Sequence, residues 1–262
     1  MNWLYEANGW SKLLSKTTKE YSYTGATLSN TTQTTESYTY NTLNKKWASR
    51  SVTNSQGETL RNDYTYATGN SPYSQNRISA IAKIEEYRNN TFTGSSRIQY
   101  ANTFSGNASY LPQYIEVAKG ALTAEPRLRY LSYDTFGNPL EVQQENGMPI
   151  AYIWGYNQTQ PIAKIENATY AQVQSYVANL QTLSNGTDEA GLITALNNLR
   201  TALPGAMVTT YTYKPLVGIS TMTDPKGNKT TYTYDAFNRL AAVRDKDNNI
   251  LSENQYHYRT QN

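Results

Sequence analysis

The residue types that most often carry out catalysis are scarce in this chain. His257 is its only histidine, and it contains no cysteine. A Ser–His–Asp arrangement would therefore depend on this one imidazole, close to the end of the chain. The lack of cysteine excludes disulfides, iron–sulfur clusters and thiolate-bound zinc. The sequence predicts neither nucleophilic catalysis nor a transition-metal centre.

The carboxylates are the remaining candidates for chemistry, and several fall at predicted turns: Asp134, Asp224, Asp235 and Asp245. An aspartate at a turn bonds the backbone two residues on, which explains its presence without catalysis. Two carboxylates that met in a cleft would form an acid/base pair. The Asp245–Asn249 loop spaces its oxygens as in a calcium site, but it lacks the mid-loop glycine and closing glutamate of an EF-hand. We predict no enzymatic activity, no cofactor and no metal.

Aromatic residues are the candidates for binding. The chain has 24 tyrosines but only 4 phenylalanines. Tyrosine buries a ring and keeps its hydroxyl bonded or wet, which favours a thinly covered sheet. Rows of tyrosines also stack on sugar rings, so a carbohydrate-binding surface is one alternative. The candidate ligand or partner surface lies near the two ends of the chain: Trp3, Tyr5, Tyr256 and Tyr258.

The elements that must position these residues are strands. Thr and Tyr alternate at the start of the segment Thr230–Tyr258, so that residues two apart share a face. The turn Asp235–Asn238 follows, then a strand Arg239–Val243, the turn Asp245–Asn249 and a strand Ile250–Tyr258. This order predicts a β-meander. We expect Tyr232 and Tyr234 to stack beside Tyr211 and Tyr213, or beside Tyr256 and Tyr258, across neighbouring strands.

The strand-and-turn pattern recurs. Tyr-x-Tyr pairs return about every twenty residues toward the C-terminal end, and earlier copies are looser. They begin at Tyr21, Tyr38, Tyr64, Tyr211, Tyr232 and Tyr256. The turn Tyr133–Asn138 repeats that of Tyr234–Asn238. A short fixed period indicates a repeat architecture in which no unit buries its face alone.

These copies resemble YD repeats, the units of the RHS/YD-repeat family. The best copies are Tyr133–Asn138 and Tyr232–Arg239, and Ile153–Tyr170 resembles the C-terminal part of large bacterial members. The resemblance implies an all-β fold of antiparallel hairpins in a curved sheet, like part of an RHS shell. Asp224–Gly227 resembles the start of the family's DPxGL-like autoproteolysis motif, but Asn228 replaces the leucine, so we interpret it as a turn.

The resemblance also implies a function. We expect a non-enzymatic, secreted or bacterial cell-surface structural or interaction protein, as a fragment or subunit of a larger assembly. The family includes the shells of polymorphic toxins, so part of a shell enclosing a toxin is a second alternative. The first twenty residues contain no apolar core typical of a signal peptide, so we expect the export signal to lie upstream of this chain.

One segment departs from the strand pattern. Apolar residues spaced three and four apart predict two helices between Asn167 and Pro204, separated by Ser184–Gly186. We therefore divide the chain into a YD-repeat β region (1–167), a helical hairpin insertion (168–204) and C-terminal YD repeats (205–262) continuous with the first region. The apolar face of the hairpin either covers the sheet or docks a partner.

Charge and hydropathy limit the partners. The 23 basic residues are scattered and the net charge is +3, which argues against nucleic acid. No run of about 18 apolar residues is present, so no membrane span is predicted. A short run of repeats leaves its first and last strands unpaired. We expect at least one of two edges, Asn2–Tyr5 and Gln255–Arg259, to pair with a protein partner or a missing upstream chain.

Overall fold

The protein is described by a computed structural model over residues 10–69 and 71–256. These residues form sixteen antiparallel strands whose order in the sheet is their order in the chain. The first seven strands are β1 (Ser15–Thr24), β2 (Thr27–Tyr40), β3 (Trp47–Thr53), β4 (Thr59–Tyr66), β5 (Ile81–Arg88), β6 (Thr91–Ala101) and β7 (Leu111–Lys119). A short 3-10 helix, Pro72–Gln75, precedes β5.

The later elements are β8 (Glu125–Tyr133), β9 (Pro139–Gln144), β10 (Pro149–Gly155), β11 (Gln160–Glu166), α1 (Tyr170–Ser184), α2 (Glu189–Ala202), β12 (Met207–Lys214), β13 (Gly218–Thr223), β14 (Lys229–Tyr234), β15 (Leu240–Arg244) and β16 (Ile250–Glu253). The chain divides into two compact units. Unit 1 comprises residues 1–101 and 109–127, and unit 2 comprises residues 102–108 and 128–262.

Unit 1 has few fully buried side chains. Most side chains of β3 to β7 are half-buried, and its buried apolar residues include Ala67, Leu111 and Ala118. Polar contacts across the strands take the place of a large core. The Arg50 guanidinium, for example, lies 2.9 Å from Glu36 Oε2, which also accepts a hydrogen bond from the Tyr38 hydroxyl. This unit therefore depends on its sheet hydrogen bonds and surface pairs.

Unit 2 contains the main apolar core, between the helical hairpin and strands β10 to β12. The buried side chains from the strands are Ala151, Ile153, Ile162, Ala163, Ile165 and Val208, and those from the helices are Val173, Leu180, Leu192, Leu196 and Leu199. Because the predicted apolar stripes of both helices are the residues packed on the sheet, the hairpin covers one face of these strands. That outcome is the first of the two predicted for the hairpin.

The helix ends follow from local sequence. Thr169 and Gln172 form a capping box at the start of α1. Asp188 caps α2 by accepting a hydrogen bond from the Gly191 amide at 2.9 Å, and Glu189 lies in its first turn. The predicted all-β antiparallel fold with one helical hairpin is confirmed.

Two finer predictions about strands were wrong. The last strand ends at Glu253 rather than at Tyr258, because β15 begins at Leu240 and offers few carbonyls beyond that point. Asn254 occupies two of these carbonyls: its backbone amide donates to Ala241 O, and its side-chain Nδ2 donates to Leu240 O. The tyrosine pairs also do not lie on neighbouring strands, since β13 separates β12 from β14.

Candidate functional site

The aspartates at turns hold the turns closed. In the Asp235–Arg239 turn, Asp235 Oδ1 accepts hydrogen bonds from the amides of Phe237 at 2.8 Å and Arg239 at 3.0 Å. Its Oδ2 accepts from Arg239 Nε at 2.7 Å. Asn238 takes a positive φ of 59°, which asparagine tolerates better than most residues. The carboxylate is therefore fully occupied by its own turn.

The same arrangement recurs in other turns. In Asp134–Asn138, Asp224–Asn228 and Asp245–Asn249, one carboxylate oxygen accepts from the amide of the fifth residue and the other from its side-chain amide. Hydrogen bonds from side chains lower the pKa of three of these carboxyls: Asn228 acts on Asp224, Arg239 on Asp235 and Asn249 on Asp245. Each of these three carboxylates is stabilised in its charged form, as a turn acceptor and not as a proton donor.

An aromatic residue at or near the end of most alternate strands forms a second recurring contact, which we call the latch. Its hydroxyl or indole N–H donates a hydrogen bond to a backbone carbonyl at or near the start of the preceding strand. The tyrosine latches are Tyr40 to Leu13, Tyr66 to Trp47, Tyr100 to Ile81, Tyr213 to Pro161, Tyr234 to Ile219 and Tyr256 to Leu240, at 2.8–3.1 Å. Trp154 does the same through Nε1 to Pro139 at 2.9 Å.

The latches link each repeat to the next. Ile219 is the register partner of the latch residue Tyr213 and accepts the hydroxyl of the next one, Tyr234. Leu240 likewise pairs with Tyr234 and accepts from Tyr256. A register shift directly precedes Tyr213 and Tyr234, as it does Tyr40, Tyr66 and Tyr100. The extra residue of a bulge re-aims the neighbouring side chain, which places the ring over the adjoining strand.

Removing one latch hydroxyl should weaken the sheet measurably. We expect Tyr234→Phe to lower the free energy of unfolding by about 1 kcal/mol, because the Ile219 carbonyl loses the hydrogen bond from this hydroxyl. Tyr211→Phe is the matched control, since that hydroxyl has no hydrogen bond to the described residues. Equal denaturation midpoints for the two variants would contradict the latch.

A cleft lies beside the helical hairpin in unit 2. Its volume is about 610 Å³. It is lined by Tyr156, Asn157, Thr159, Gln160, Ser184, Asn185, Gly186, Tyr213, Lys214, Pro215, Leu216, Val217, Gly218 and Ile219. These residues come from the β10–β11 turn, the loop between the helices and the β12–β13 turn. Leu216 projects into solvent at the rim.

The β10–β11 turn has an uncommon backbone. Tyr156, Asn157 and Gln158 have φ values of 51°, 56° and 59°, three successive left-handed residues without a glycine. Side chains at the end of α1 support this conformation: Ser184 Oγ accepts from the Tyr156 amide at 3.0 Å and Asn185 Oδ1 from the Asn157 amide at 2.7 Å. The Tyr156 hydroxyl accepts from the Tyr213 amide at 2.9 Å. The turn is thus fixed by the helix packed against it.

The chemistry of the cleft is that of a binding surface. Burial raises the pKa of Tyr213 to about 12, so its phenol is neutral at physiological pH. Lys214 is the charged side chain among the lining residues, and its Nζ lies 3.2 Å from Asn238 Oδ1. Neither a carboxylate nor a histidine is among the residues that line it. Within the described part of the chain, no three carboxylate or histidine side chains are placed to hold a metal ion.

The predicted ligand surface is only partly described. Trp3, Tyr5, Tyr258 and His257 lie outside the described residues. Tyr256 is exposed, with its ring centroid 4.0 Å from Arg239 Cζ, and its hydroxyl forms the latch to Leu240. Sequence reasoning missed the cleft, whose local signals were Gly155 and Asn157, residue types that are depleted in strands.

Comparison with known protein families identifies one of the strand-and-turn repeats. Residues 218–250 match the family model of the RHS repeat. This chain contains an RHS repeat. The matched RHS repeat covers β13 to the start of β16, including the turns of Asp224, Asp235 and Asp245. The predicted resemblance to RHS/YD-repeat proteins is confirmed.

Several solved structures are similar to this chain. The crystal structure of TcdB2-TccC3 matches with 11% identity and a TM-score of 0.37 over 87% of this chain and 12% of that one. TcdB2-TccC3 without its hypervariable C-terminal region gives 12% identity over the same coverage, with a TM-score of 0.37. TcdB2-TccC3-TEV gives 14% identity and a TM-score of 0.29 over 80% of this chain and 8% of that one.

The chain spans about a tenth of the length of those structures. A search of curated proteins finds no match. Neither of the two α-helices in the described residues is long and apolar enough to cross a membrane.

Proposed function

We propose that this chain is a structural and protein-binding section of a secreted or cell-surface RHS-type bacterial protein, and that it catalyses no reaction of its own. Its role is to extend a sheet of repeats and to present that sheet to other polypeptides. The observation that carries this proposal is the turn-and-latch unit, which repeats along the sheet and uses its aspartate and tyrosine for structure.

The use of the polar groups supports a non-enzymatic role. Each turn carboxylate accepts three hydrogen bonds or more in the turns of Asp134, Asp235 and Asp245, so it has little capacity left for a substrate. The residues that line the cleft beside the hairpin include neither a carboxylate nor a histidine, and Lys214 is the one charged side chain among them. The neutral polar and apolar side chains that line the cleft are suited to binding and not to catalysis.

The end of the sheet supports a role in a longer assembly. In unit 2, β16 is hydrogen-bonded to β15 and has no second neighbour in the described sheet order. All four of its residues are exposed. A short exposed edge offers unpaired backbone groups to a further strand, and repeat proteins gain stability from each neighbour that stacks on them.

Adding one more repeat tests this proposal. A copy of residues 235–256 placed directly after Tyr256 should fold onto β16, because Tyr256 occupies the latch position that Tyr234 occupies one repeat earlier. We expect the added amides to be protected from hydrogen exchange and the unfolding midpoint to rise by about 2–4 °C for each kcal/mol gained.

The matched control carries the same residues in scrambled order. If the added copy and its scrambled counterpart exchange equally fast, and neither raises the midpoint, the sheet end does not accept repeats and the proposal is wrong.

A further inference from the structure

Part of unit 1 extends beyond the sheet as a two-stranded arm. Residues Thr27–Thr34 of β2 pair with β1 alone, and pairing of β2 with β3 begins where Thr35 meets Thr53, the last residue of β3. We define the arm as Thr18–Thr34, from the register pair Thr18–Thr34 to the turn that joins the strands. Eight residues at about 3.3 Å each give it a length of roughly 26 Å.

The arm has almost no packing of its own. Every residue of β1 is exposed, and so are residues 27–33 of β2. Tyr21 and Tyr23 are two apart on β1, and Leu28 is the register partner of Tyr23, so the three share a face. Their exposed fractions are 54%, 62% and 49%. A two-stranded hairpin is marginally stable in water without a third strand or a covering layer. The arm would therefore be stabilised by a further strand or by a covering layer.

The two edges of the arm differ in charge. β1 carries Lys16, Lys19 and Glu20, and charged side chains are a common means of protecting an edge from strand addition. On β2, the stretch from Thr27 to Thr35 contains neither a charge nor a proline. Its outer edge is therefore the less protected one. A register shift at Ser29 interrupts β2 near the tip of the arm, so the regular free edge runs from Asn30 to Thr34.

We propose that this outer edge pairs antiparallel with the same edge of a second copy of this chain, forming a four-stranded sheet in the order β1–β2–β2–β1. Three or more strands are what a sheet needs to be stable by itself. Wherever residues 29–35 of the two copies face one another, Ser, Thr, Asn and Gln side chains lie opposite, since this stretch contains only these types. Such pairs attract weakly and no like charges meet.

Symmetry favours a second copy as the occupant. Antiparallel pairing of a segment with itself has a two-fold axis, so the contact closes as a dimer and does not propagate into a fibre. It also places the two sheets at opposite ends of the paired arms. The Tyr21, Tyr23 and Leu28 faces of both copies then lie on one side of the new sheet, which gives it an apolar face.

A charge exchange on β2 tests the pairing. Thr31 lies in the middle of the free edge, and its partner on β1 is the uncharged Tyr21. We expect the unchanged chain to dimerise in sedimentation equilibrium, and Thr31→Lys and Thr31→Glu each to weaken the dimer by about tenfold or more through like charges near the axis. An equimolar mixture of the two variants should recover dimers. Thr18→Lys and Thr18→Glu, on β1 of the same arm, are the controls and should leave the dimer unchanged.

Several results would overturn this inference: a chain that stays monomeric at every concentration, Thr31 variants that dimerise like the unchanged chain, or a mixture that fails to recover dimers. The inference rests on the proposed structural role, but the two experiments fail separately. The added repeat reports on β16 in unit 2, whereas the charge exchange reports on the arm in unit 1.

Discussion

Leu199→Ala should lower the free energy of unfolding by about 3–4 kcal/mol, among the largest effects of a single substitution in this chain. Leu199 is 0% exposed and lies in the core between α2 and the sheet. Truncating a fully buried leucine removes its transfer energy and leaves a cavity that neighbours fill only in part. Denaturation followed by the helical far-ultraviolet signal measures the loss where it occurs, since α1 and α2 pack on this core.

Leu216→Ala is the matched control for this prediction. The same three carbons are removed, but from a side chain that is 108% exposed at the rim of the cleft. Surface changes of this kind alter stability by less than about 0.5 kcal/mol. Similar losses in the two variants would mean that the hairpin is not packed on strands β10 to β12 as described.

The contribution of Leu199 was predictable from sequence, and so was much of the local structure. Leu192, Leu196 and Leu199 are spaced four and three apart, which defines one helix face whatever lies beneath it. The role of the turn aspartates was equally predictable, because a carboxylate that accepts from the amide two residues on needs no tertiary partner. Asp235 and Phe237 form that bond. Both the helix face and the turn bond depend only on residues that are close together in the sequence, so they can be predicted without knowledge of the tertiary structure.

Contacts between strands were harder to predict. Tyr-x-Tyr pairs suggested tyrosines on adjacent strands, but the repeat consists of two strands, so Met222 of β13 faces Tyr211. The latch depends on a register shift before Tyr213 and on a carbonyl of Pro161, which precedes it by 52 residues because the hairpin intervenes. Sequence period reveals that a unit repeats, but bulges decide where its side chains point.

The cleft was not predictable for a related reason. Its shape depends on left-handed backbone at Tyr156 and Gln158, residues that seldom adopt it, and on the end of α1 that supports them. Local propensity argues against that conformation, so tertiary contact must impose it. The contact is close enough to be tested at Gly155, which lies against Ser184 at the end of α1.

Gly155→Ala should lower the free energy of unfolding by about 1–3 kcal/mol, the range found for overpacking. A Cβ built on Gly155 would lie 2.5 Å from Ser184 Oγ, 2.9 Å from Ser184 Cβ and 2.9 Å from Ile162 Cγ2. Ser184 cannot retreat without strain, because its Oγ accepts from the Tyr156 amide and donates to the Gln181 carbonyl at 2.8 Å. The added methyl group must therefore displace α1 or distort the left-handed turn. Urea denaturation measures the loss.

Removing the Ser184 side chain tests whether its contact with the added methyl group causes the loss of stability in Gly155→Ala. Ser184→Gly in the Gly155→Ala chain deletes both Ser184 atoms but leaves the approach to Ile162, so recovery should be partial, with a coupling of about 0.5 kcal/mol or more in a double-mutant cycle. Gly205→Ala is the matched control, since a Cβ there meets nothing within 4 Å. A loss at Gly205 as large as at Gly155, or additive effects at Gly155 and Ser184, would mean that α1 does not support the turn beside the cleft.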